Sequence, residues 1–162
     1  VPIRVGTLSK ALGCSGGFVA GCRELVDWLI NRARSYICST AAPPANSAAG
    51  LAALEIVRND PPRRENLLRS ASRVADELRR QGWDLGDSHS QILPVVVGGS
   101  DRALNMSLRL QQRGLWVPAI RPPSVRPGEA CLRISLSAAH TPADIDRLLA
   151  AFEDLAASDS VV

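Results

Sequence analysis

The stretch Val5-Gly6-Thr7-Leu8-Ser9-Lys10-Ala11-Leu12-Gly13 places a lysine in a glycine-rich segment between short apolar segments. We predict a loop over residues 6–17, because glycines there let backbone amides approach a ligand closely. A bound phosphate needs hydroxyl and amide donors nearby. Thr7, three residues before Lys10, and the loop amides can supply such donors. The segment is therefore a candidate phosphate site beside a lysine.

Lys10 is the only lysine among the 19 lysine and arginine residues of the chain, and the others are all arginine. Arginine keeps its proton near neutral pH and forms no imine, whereas a lysine amine can lose its proton and act as a nucleophile. This composition favours a chemical role for Lys10. A strongly arginine-biased genome that left one lysine by chance is the alternative.

The composition is that of an ordinary globular protein, with 162 residues, 46% hydrophobic and 22% charged residues, and a net charge of +3. No apolar run approaches the roughly 20 residues that span a bilayer, and the first residues do not resemble a signal peptide. We expect a cytoplasmic protein with no membrane partner. The arginines are scattered, so we expect no nucleic-acid partner.

The four cysteines contain no Cys-x-x-Cys pair, and neither histidine stands at metal-ligand spacing from them. We expect reduced thiols and no metal site.

Hydrophobic periodicity predicts the secondary structure of the first half of the chain. Val19 and Ala20 read as a short return strand after the loop. We predict a loop over residues 36–44, which ends in two prolines, and the end of a helix at residues 59–62. The predicted helices cover residues 23–34, 46–58 and 63–81.

The apolar pattern of the second half of the chain predicts a β-α-β-β-α unit. Its strands are expected at residues 92–97, 115–120 and 130–136, and its first helix at residues 100–113, capped by Ser100. Thr141, Pro142 and Asp144 form the start signal of the last helix. A chain that opens in mid-strand, directly before a glycine-rich loop, is expected to be the C-terminal part of a longer protein.

Three segments of the sequence resemble the α-oxoamine synthases, a family of fold-type I pyridoxal-phosphate (PLP) enzymes. The resemblance implies an α/β fold in which residues 1–62 end the PLP-binding large domain and residues 63–162 form a small C-terminal α+β domain. The matching segments are Gly6-Thr7-Leu8-Ser9-Lys10-Ala11-Leu12-Gly13 with Ser15-Gly16-Gly17-Phe18, Tyr36-Ile37-Cys38-Ser39-Thr40-Ala41-Ala42-Pro43-Pro44, and the tail from Ala119 through Arg121, Ser124, Arg133 and Ser135 to His140.

The resemblance implies a cofactor role for four residues. Lys10 would hold PLP covalently and later remove the α-proton of the amino-acid substrate. Thr7 would bind the cofactor phosphate, joined by Ser39 and Thr40 from the neighbouring subunit of a homodimer. Ordinary loop hydroxyls that cap a turn are the alternative for Ser39 and Thr40.

The resemblance also implies substrate contacts by Arg121, Ser124 and Arg133. A guanidinium grips a carboxylate with two hydrogen bonds, which suits Arg121 and Arg133, and Ser124 would line the substrate site. Arg133 alternates with apolar neighbours, so the solvent side of a half-exposed strand is its alternative reading.

Two elements, Ile120-Arg121-Pro122-Pro123 and Ile92-Leu93-Pro94-Val95, are most similar to the biotin-pathway members of the family. This similarity implies a decarboxylative condensation of L-alanine with pimeloyl-CoA or a pimeloyl carrier protein. Members that use glycine and an acetyl thioester, or serine and palmitoyl-CoA, share the lysine loop and remain alternatives.

Two other classes of protein are alternatives for this sequence. Penicillin-binding enzymes use Ser-x-x-Lys, but here the hydroxyl is that of Thr7, and the sequence contains neither Ser-Asp-Asn nor Lys-Thr-Gly. A noncatalytic dimerisation piece is the other reading. The Asp-x-Ala-His segment that contacts the cofactor ring in the family is absent from this sequence, so we expect these 162 residues alone to be inactive or nearly so.

Overall fold

A computed structural model describes residues 2–159 of the chain. Its residues separate into two compact units, with the division between Pro61 and Pro62. The assignment of these parts to a large and a small domain stays a prediction. No helix within residues 2–159 is both long enough and apolar enough to cross a membrane.

The first unit opens with a β-hairpin and continues with three helices. In the hairpin β1 and β2 are antiparallel, and Thr7 of β1 lies opposite Gly17 of β2. The return strand predicted at Val19 and Ala20 is thus confirmed. The elements are β1 (Arg4–Thr7), β2 (Gly17–Ala20), α1 (Arg23–Arg32), α2 (Arg34–Ile37) and α3 (Pro44–Asn59).

Apolar side chains of the first unit are largely exposed to solvent. Within residues 2–61 Cys14 is the only buried hydrophobic residue, while Trp28 and Leu51 are more than half exposed. The first unit therefore keeps its shape mainly through backbone and polar hydrogen bonds, without an apolar core of its own.

The second unit contains a three-stranded antiparallel sheet in the order β3-β5-β4. The predicted β-α-β-β-α order is confirmed. Its elements are α4 (Pro61–Arg80), β3 (Ile92–Gly98), α5 (Ser100–Gln112), β4 (Ala119–Ile120), β5 (Ala130–Ser135) and α6 (Pro142–Asp159).

A hydrophobic core lies between this sheet and the helices of the second unit. Alternate residues of β3, namely Leu93, Val95 and Val97, are buried, as the period of a half-buried strand requires. Trp83 meets Phe152 edge to face, with ring centroids 5.7 Å apart. Aromatic pairs of this geometry add to the stabilisation from burial.

Three helix boundaries differ from the prediction. The helix expected over residues 23–34 is broken at Ala33, whose extended backbone (φ −76°, ψ 97°) separates α1 from α2. α3 begins at Pro44 instead of residue 46, because proline suits the first turn, where its missing N–H costs nothing. For the same reason α4 begins at Pro61 instead of residue 63, while the predicted end of the preceding helix at residues 59–62 is confirmed, since α3 ends at Asn59.

Two further predictions were wrong. Gly99, not Ser100, occupies the N-cap of α5, and no side chain caps that helix. The strand expected over residues 115–120 is reduced to Ala119–Ile120. Pro118 has no N–H that could donate a hydrogen bond to a neighbouring strand. The Val117 carbonyl accepts a hydrogen bond from the Ser107 hydroxyl of α5 at 2.7 Å instead.

The predicted loop over residues 6–17 is shorter than expected, because Gly6 and Thr7 belong to β1 and Gly17 belongs to β2. The loop predicted over residues 36–44 likewise begins later, since α2 extends through Ile37.

The start signal of α6 is confirmed as a reciprocal cap. The Asp144 carboxylate accepts hydrogen bonds from the Thr141 N–H at 2.9 Å and the Thr141 hydroxyl at 2.7 Å. The Asp144 N–H donates to the same hydroxyl at 3.2 Å. The Thr141 hydroxyl and N–H lower the pKa of Asp144 below its usual value.

Two leucines of α5 test where the core lies. Leu110 is fully buried, whereas Leu108 is 57% exposed on the same helix. Leu110→Ala should lower the free energy of unfolding by about 2–5 kcal/mol, and Leu108→Ala should change it by less than about 0.5 kcal/mol. Urea unfolding of both variants gives the comparison, and equal losses would show that the helix face is assigned wrongly.

The α6 cap should make stability depend on pH. Because the folded pKa of Asp144 is lowered, its charged form stabilises the fold above the pKa of the unfolded state, and this contribution is lost as the pH falls through the folded pKa. Asp144→Asn should therefore be less stable than the parent at pH 7, and this deficit should shrink at about pH 3, below the ordinary pKa of an aspartate. Urea midpoints at both pH values measure the difference, and a deficit of the same size at both pH values would contradict the charged cap.

Candidate functional site

The β1–β2 hairpin places Lys10 in a short, closed loop. The Leu8 N–H donates to the Gly16 carbonyl at 2.9 Å and extends the strand pairing, and the Cys14 N–H donates back to the Leu8 carbonyl at 2.8 Å. A turn begins at Lys10, where the Gly13 N–H donates to the Lys10 carbonyl at 3.0 Å. Gly13 and Gly16 have positive φ angles of 63° and 104°, which glycine adopts without strain. We call residues 8–16 the Lys10 loop.

Two hydroxyl groups meet at the base of the Lys10 loop. The Thr7 hydroxyl oxygen lies 2.7 Å from that of Ser9, accepts the Ser9 N–H at 3.1 Å, and donates to the Gly16 carbonyl over 3.3 Å. Ser9 was not predicted as a site residue. The signal that could have found it is local, since a hydroxyl that bonds the backbone two residues on is a common turn motif.

The Lys10 side chain is exposed, and it makes no hydrogen bond or ion pair within residues 2–159. Residues 5–20 contain no acidic side chain, and Lys10 is their only charge. An anionic group near this amine would therefore meet one positive charge and two hydroxyls, without a carboxylate to repel it.

Ser39 and Thr40 lie in the segment between α2 and α3. The Ser39 hydroxyl donates to the Ser35 carbonyl in the turn before it, so its proton is committed to its own chain. Thr40 is exposed and makes no side-chain hydrogen bond to any residue from 2 to 159. Of the two, Thr40 presents the hydroxyl that is free to donate to a ligand.

Arg121 and Ser124 are brought together by a turn in the second unit. The Ser124 N–H donates to the Arg121 carbonyl at 2.9 Å around a cis peptide bond between Pro122 and Pro123. Both Arg121 and Ser124 are exposed. The turn follows β4 directly, so both residues lie at one end of the sheet.

Arg133 lies on β5 beside the strand that leads to this turn. Its N–H donates to the Pro118 carbonyl at 3.0 Å, and its side chain is exposed, whereas Leu132 and Ile134 on either side are buried. Cys131 has the same strand parity as Arg133. Burial raises the pKa of the Cys131 thiol, and the positive charge of Arg133 opposes that shift. The Arg133 guanidinium thus faces away from the core and is open to an anionic ligand.

The donor groups of the Lys10 loop fit a phosphorylated aldehyde. An aldehyde needs a free amine for covalent attachment, and a phosphate needs hydroxyl and amide donors. Lys10 supplies the amine, while Thr7 and Ser9 supply the hydroxyls. The cofactor roles of Lys10 and Thr7 stay predictions.

Comparison with known protein families assigns the chain to one of them. Residues 2–152 match the family model described as aminotransferase class I and II, so the chain belongs to that family.

Two relatives of similar sequence indicate a particular group of enzymes within this family. The chain is 50% identical to 8-amino-7-oxononanoate synthase 1 of Polaromonas sp. (strain JS666 / ATCC BAA-500) over 159 residues, which cover 96% of the chain and 39% of that protein. It is 48% identical to the 8-amino-7-oxononanoate synthase of Aeromonas salmonicida over 160 residues, 99% of the chain and 40% of that protein. The chain therefore spans about 40% of the length of these relatives.

A solved structure matches the whole chain. A serine palmitoyltransferase with PLP superposes with a TM-score of 0.93 at 29% identity, covering 100% of the chain and 41% of that structure. The predicted resemblance to the α-oxoamine synthases is confirmed, and so is the predicted fold class, part of a fold-type I PLP-dependent transferase.

A glycine of the hairpin tests the loop geometry. A Cβ at Gly17 would lie 2.8 Å from the Gly6 carbonyl oxygen, a backbone atom that can move only if β1 and β2 separate. Gly17→Ala should therefore raise the exchange rate of the Leu8 amide by about tenfold or more, which corresponds to roughly 1.4 kcal/mol of lost protection.

Gly99→Ala, in the second unit, is the matched control, because its added Cβ would lie at an ordinary 3.9 Å from the Arg102 Cβ and its φ of −81° suits alanine. This control should leave the Leu8 amide unchanged. Equal effects of the two substitutions on that amide would contradict the hairpin as described.

Proposed function

We propose that the protein condenses L-alanine with a pimeloyl thioester, either pimeloyl-CoA or a pimeloyl carrier protein. The products are 8-amino-7-oxononanoate, carbon dioxide and the free thiol of the carrier, as a step of biotin biosynthesis. The observation that carries this proposal is the 50% identity to a protein named 8-amino-7-oxononanoate synthase, over an alignment that covers 96% of the chain.

PLP is the proposed cofactor, and when bound it supplies an electron sink for the bond-breaking steps at the amino-acid α-carbon. Lys10 would hold it covalently through its Nζ atom. After the substrate amine takes that place, the same Nζ is free to accept the α-proton. Its exposure and its lack of a carboxylate neighbour in residues 5–20 support this role.

The Thr7 hydroxyl would bind the cofactor phosphate, and Ser9 would join it. The two hydroxyl oxygens are already 2.7 Å apart, so one phosphate oxygen could accept from both once the Thr7 hydroxyl turns from the Gly16 carbonyl and the Ser9 hydroxyl turns from Thr7. Because Thr7 also accepts the Ser9 N–H, the pair is held in place before any ligand arrives. Such preorganised donors lose little conformational entropy on binding.

Arg133 would bind the substrate carboxylate, with Arg121 as a second cation and Ser124 lining the substrate site. Arg133 stands on β5, which pairs with β3 and β4, and its own N–H donates to the Pro118 carbonyl, which restrains its backbone. A guanidinium held in this way can meet a carboxylate with two parallel hydrogen bonds. Arg121 projects from a turn, so we expect it to contribute less to orientation.

We further propose a cytoplasmic homodimer in which Ser39 and Thr40 reach the phosphate bound by the neighbouring subunit, with no nucleic-acid or membrane partner. The free Thr40 hydroxyl supports this arrangement.

The reaction would also require groups from outside these 162 residues. The chain spans about 40% of its relatives' length, and the sequence contains no Asp-x-Ala-His segment. A carboxylate at the pyridine nitrogen tunes PLP in such enzymes. We therefore propose that residues 1–162 alone do not complete the reaction.

A second candidate is the condensation of L-serine with palmitoyl-CoA. It is favoured by the superposition of the whole chain on a serine palmitoyltransferase, with a TM-score of 0.93. The sequence identity to that structure is 29%, compared with 50% to the Polaromonas synthase, so we rank this reaction second.

The activity test uses the complete gene product that contains this chain, supplied with PLP. We expect product from L-alanine and pimeloyl-CoA, little from L-serine and palmitoyl-CoA, and a fall of at least about 100-fold in kcat for Lys10→Ala, which removes both the attachment point and the base. Mass spectrometry of the products measures both pairs of substrates.

Lys10→Arg serves as the control for charge, because it keeps a cation but provides no nucleophilic amine, and it should be as inactive as Lys10→Ala. Turnover of serine and palmitoyl-CoA alone would select the second candidate. Full activity of Lys10→Ala would overturn the proposed role of Lys10.

A further inference from the structure

Asn46, in the first turn of α3, holds the Lys10 loop by two hydrogen bonds to one residue. Its Oδ1 atom accepts the Ser15 N–H at 2.8 Å, and its Nδ2 atom donates to the Ser15 carbonyl at 2.9 Å. The side-chain amide thus pairs with the Ser15 backbone as a neighbouring strand would. This pairing requires a donor and an acceptor on the same side chain, which an amide provides.

A second contact lies on the same face of α3. Gly50 is one helical turn after Asn46, a spacing that places both on one side of a helix, and a Cβ built there would lie 3.8 Å from the Cys14 sulfur. Cys14 is buried, and its thiol donates to the Leu12 carbonyl at 3.0 Å. The loop is therefore docked on α3 through the adjacent residues Cys14 and Ser15.

The anchored residues are connected to Lys10 by the loop's own hydrogen bonds. The Cys14 N–H donates to the Leu8 carbonyl, and the Gly13 N–H donates to the Lys10 carbonyl. Gly13 and Gly16 flank the anchored pair, and glycine loses more conformational freedom on ordering than any other residue. The hydrogen bonds from Asn46 offset part of that entropy cost and reduce the number of conformations that the Lys10 loop adopts.

We propose that Asn46 is a positioning residue for Lys10, and that its two-point hydrogen bond sets the geometry in which the Lys10 amine captures PLP. This inference rests on the proposed function of Lys10. Asn46 touches neither Lys10 nor the hydroxyls of Thr7 and Ser9 in the hydrogen bonds described, so its effect passes through the Ser15 backbone.

The decisive variant is Asn46→Asp in the complete gene product. At neutral pH the new carboxylate can accept the Ser15 N–H but cannot donate to the Ser15 carbonyl, which it repels. Below about pH 4 the carboxyl is protonated and regains a donor. An acidic residue in the first turn also favours the helix itself, so loosening of the loop cannot be attributed to a weakened α3.

Hydrogen–deuterium exchange of the peptide that contains residues 8–16 reports on the loop without any cofactor. For Asn46→Asp at pH 7 we expect exchange about tenfold faster than in the parent, the order expected for one lost hydrogen bond. The difference in protection between Asn46→Asp and the parent should shrink as the pH falls below about 4, after correction for the intrinsic rate. Asn105→Asp, an exposed mid-helix asparagine of α5, is the matched control and should leave the loop unchanged at both pH values.

The rate at which Lys10 captures added PLP, followed by visible absorbance at pH 7, is the second readout. The proposal would be supported if Asn46→Asp shows faster exchange in the Lys10 loop at pH 7, a smaller difference at low pH, and slower capture of PLP by Lys10. Three results would each overturn the positioning role of Asn46: loop exchange that does not change in Asn46→Asp, a loss of protection that does not diminish at low pH, and PLP capture at the parental rate. In each case the parent protein would still capture PLP. If the parent itself captures no PLP, the proposed function fails, and the positioning role fails with it.

Discussion

The antiparallel pairing of β1 with β2 is the constraint on which the candidate site depends. The register that sets Thr7 opposite Gly17 leaves nine residues to close the hairpin, and the Leu8–Gly16 hydrogen bond shortens the free part further. Lys10 is thereby confined to a small loop directly beside the two hydroxyls of Thr7 and Ser9. A different register would break the hydrogen bonds of Thr7 and Leu8 to the Gly16 carbonyl and open the loop that contains Lys10.

The two units are stabilised by different kinds of interaction. The second unit buries a continuous apolar core, so its strand β5 can present Arg133 on a rigid support. In the first unit Cys14 is the only buried hydrophobic residue within residues 2–61, and exposed hydrogen bonds hold the Lys10 loop. A typical hydrogen bond contributes only about 0.5–1.5 kcal/mol net. The geometry around Lys10 therefore rests on several small contributions, among which the two-point bond of Asn46 is prominent.

Local sequence patterns were sufficient to predict much of this architecture. The apolar stripe of α4, the alternation in β3 and the Thr141–Asp144 cap are all encoded within a few residues. The patterns failed where backbone chemistry overrode periodicity. Pro118 removed a donor from the expected strand at residues 115–120, and an extended Ala33 divided a helix that looked continuous.

The candidate site could be predicted only in part. Thr7 and Lys10 stand together in sequence, and the resemblance to a known family supplied the roles proposed for the other residues. Asn46 left no local signal, because it pairs with a residue 31 positions away through side-chain atoms. Such contacts depend on how α3 packs on the loop, which composition and spacing do not encode.

The central claim is that Lys10 holds PLP covalently. The most direct measurement is reduction of the PLP-treated complete gene product with borohydride, followed by peptide mass mapping, since residues 1–162 contain a single lysine. If Lys10 holds PLP, the peptide that contains Lys10 carries a reduced pyridoxyl phosphate group. An unmodified Lys10 peptide from a folded protein that has been saturated with PLP would contradict it.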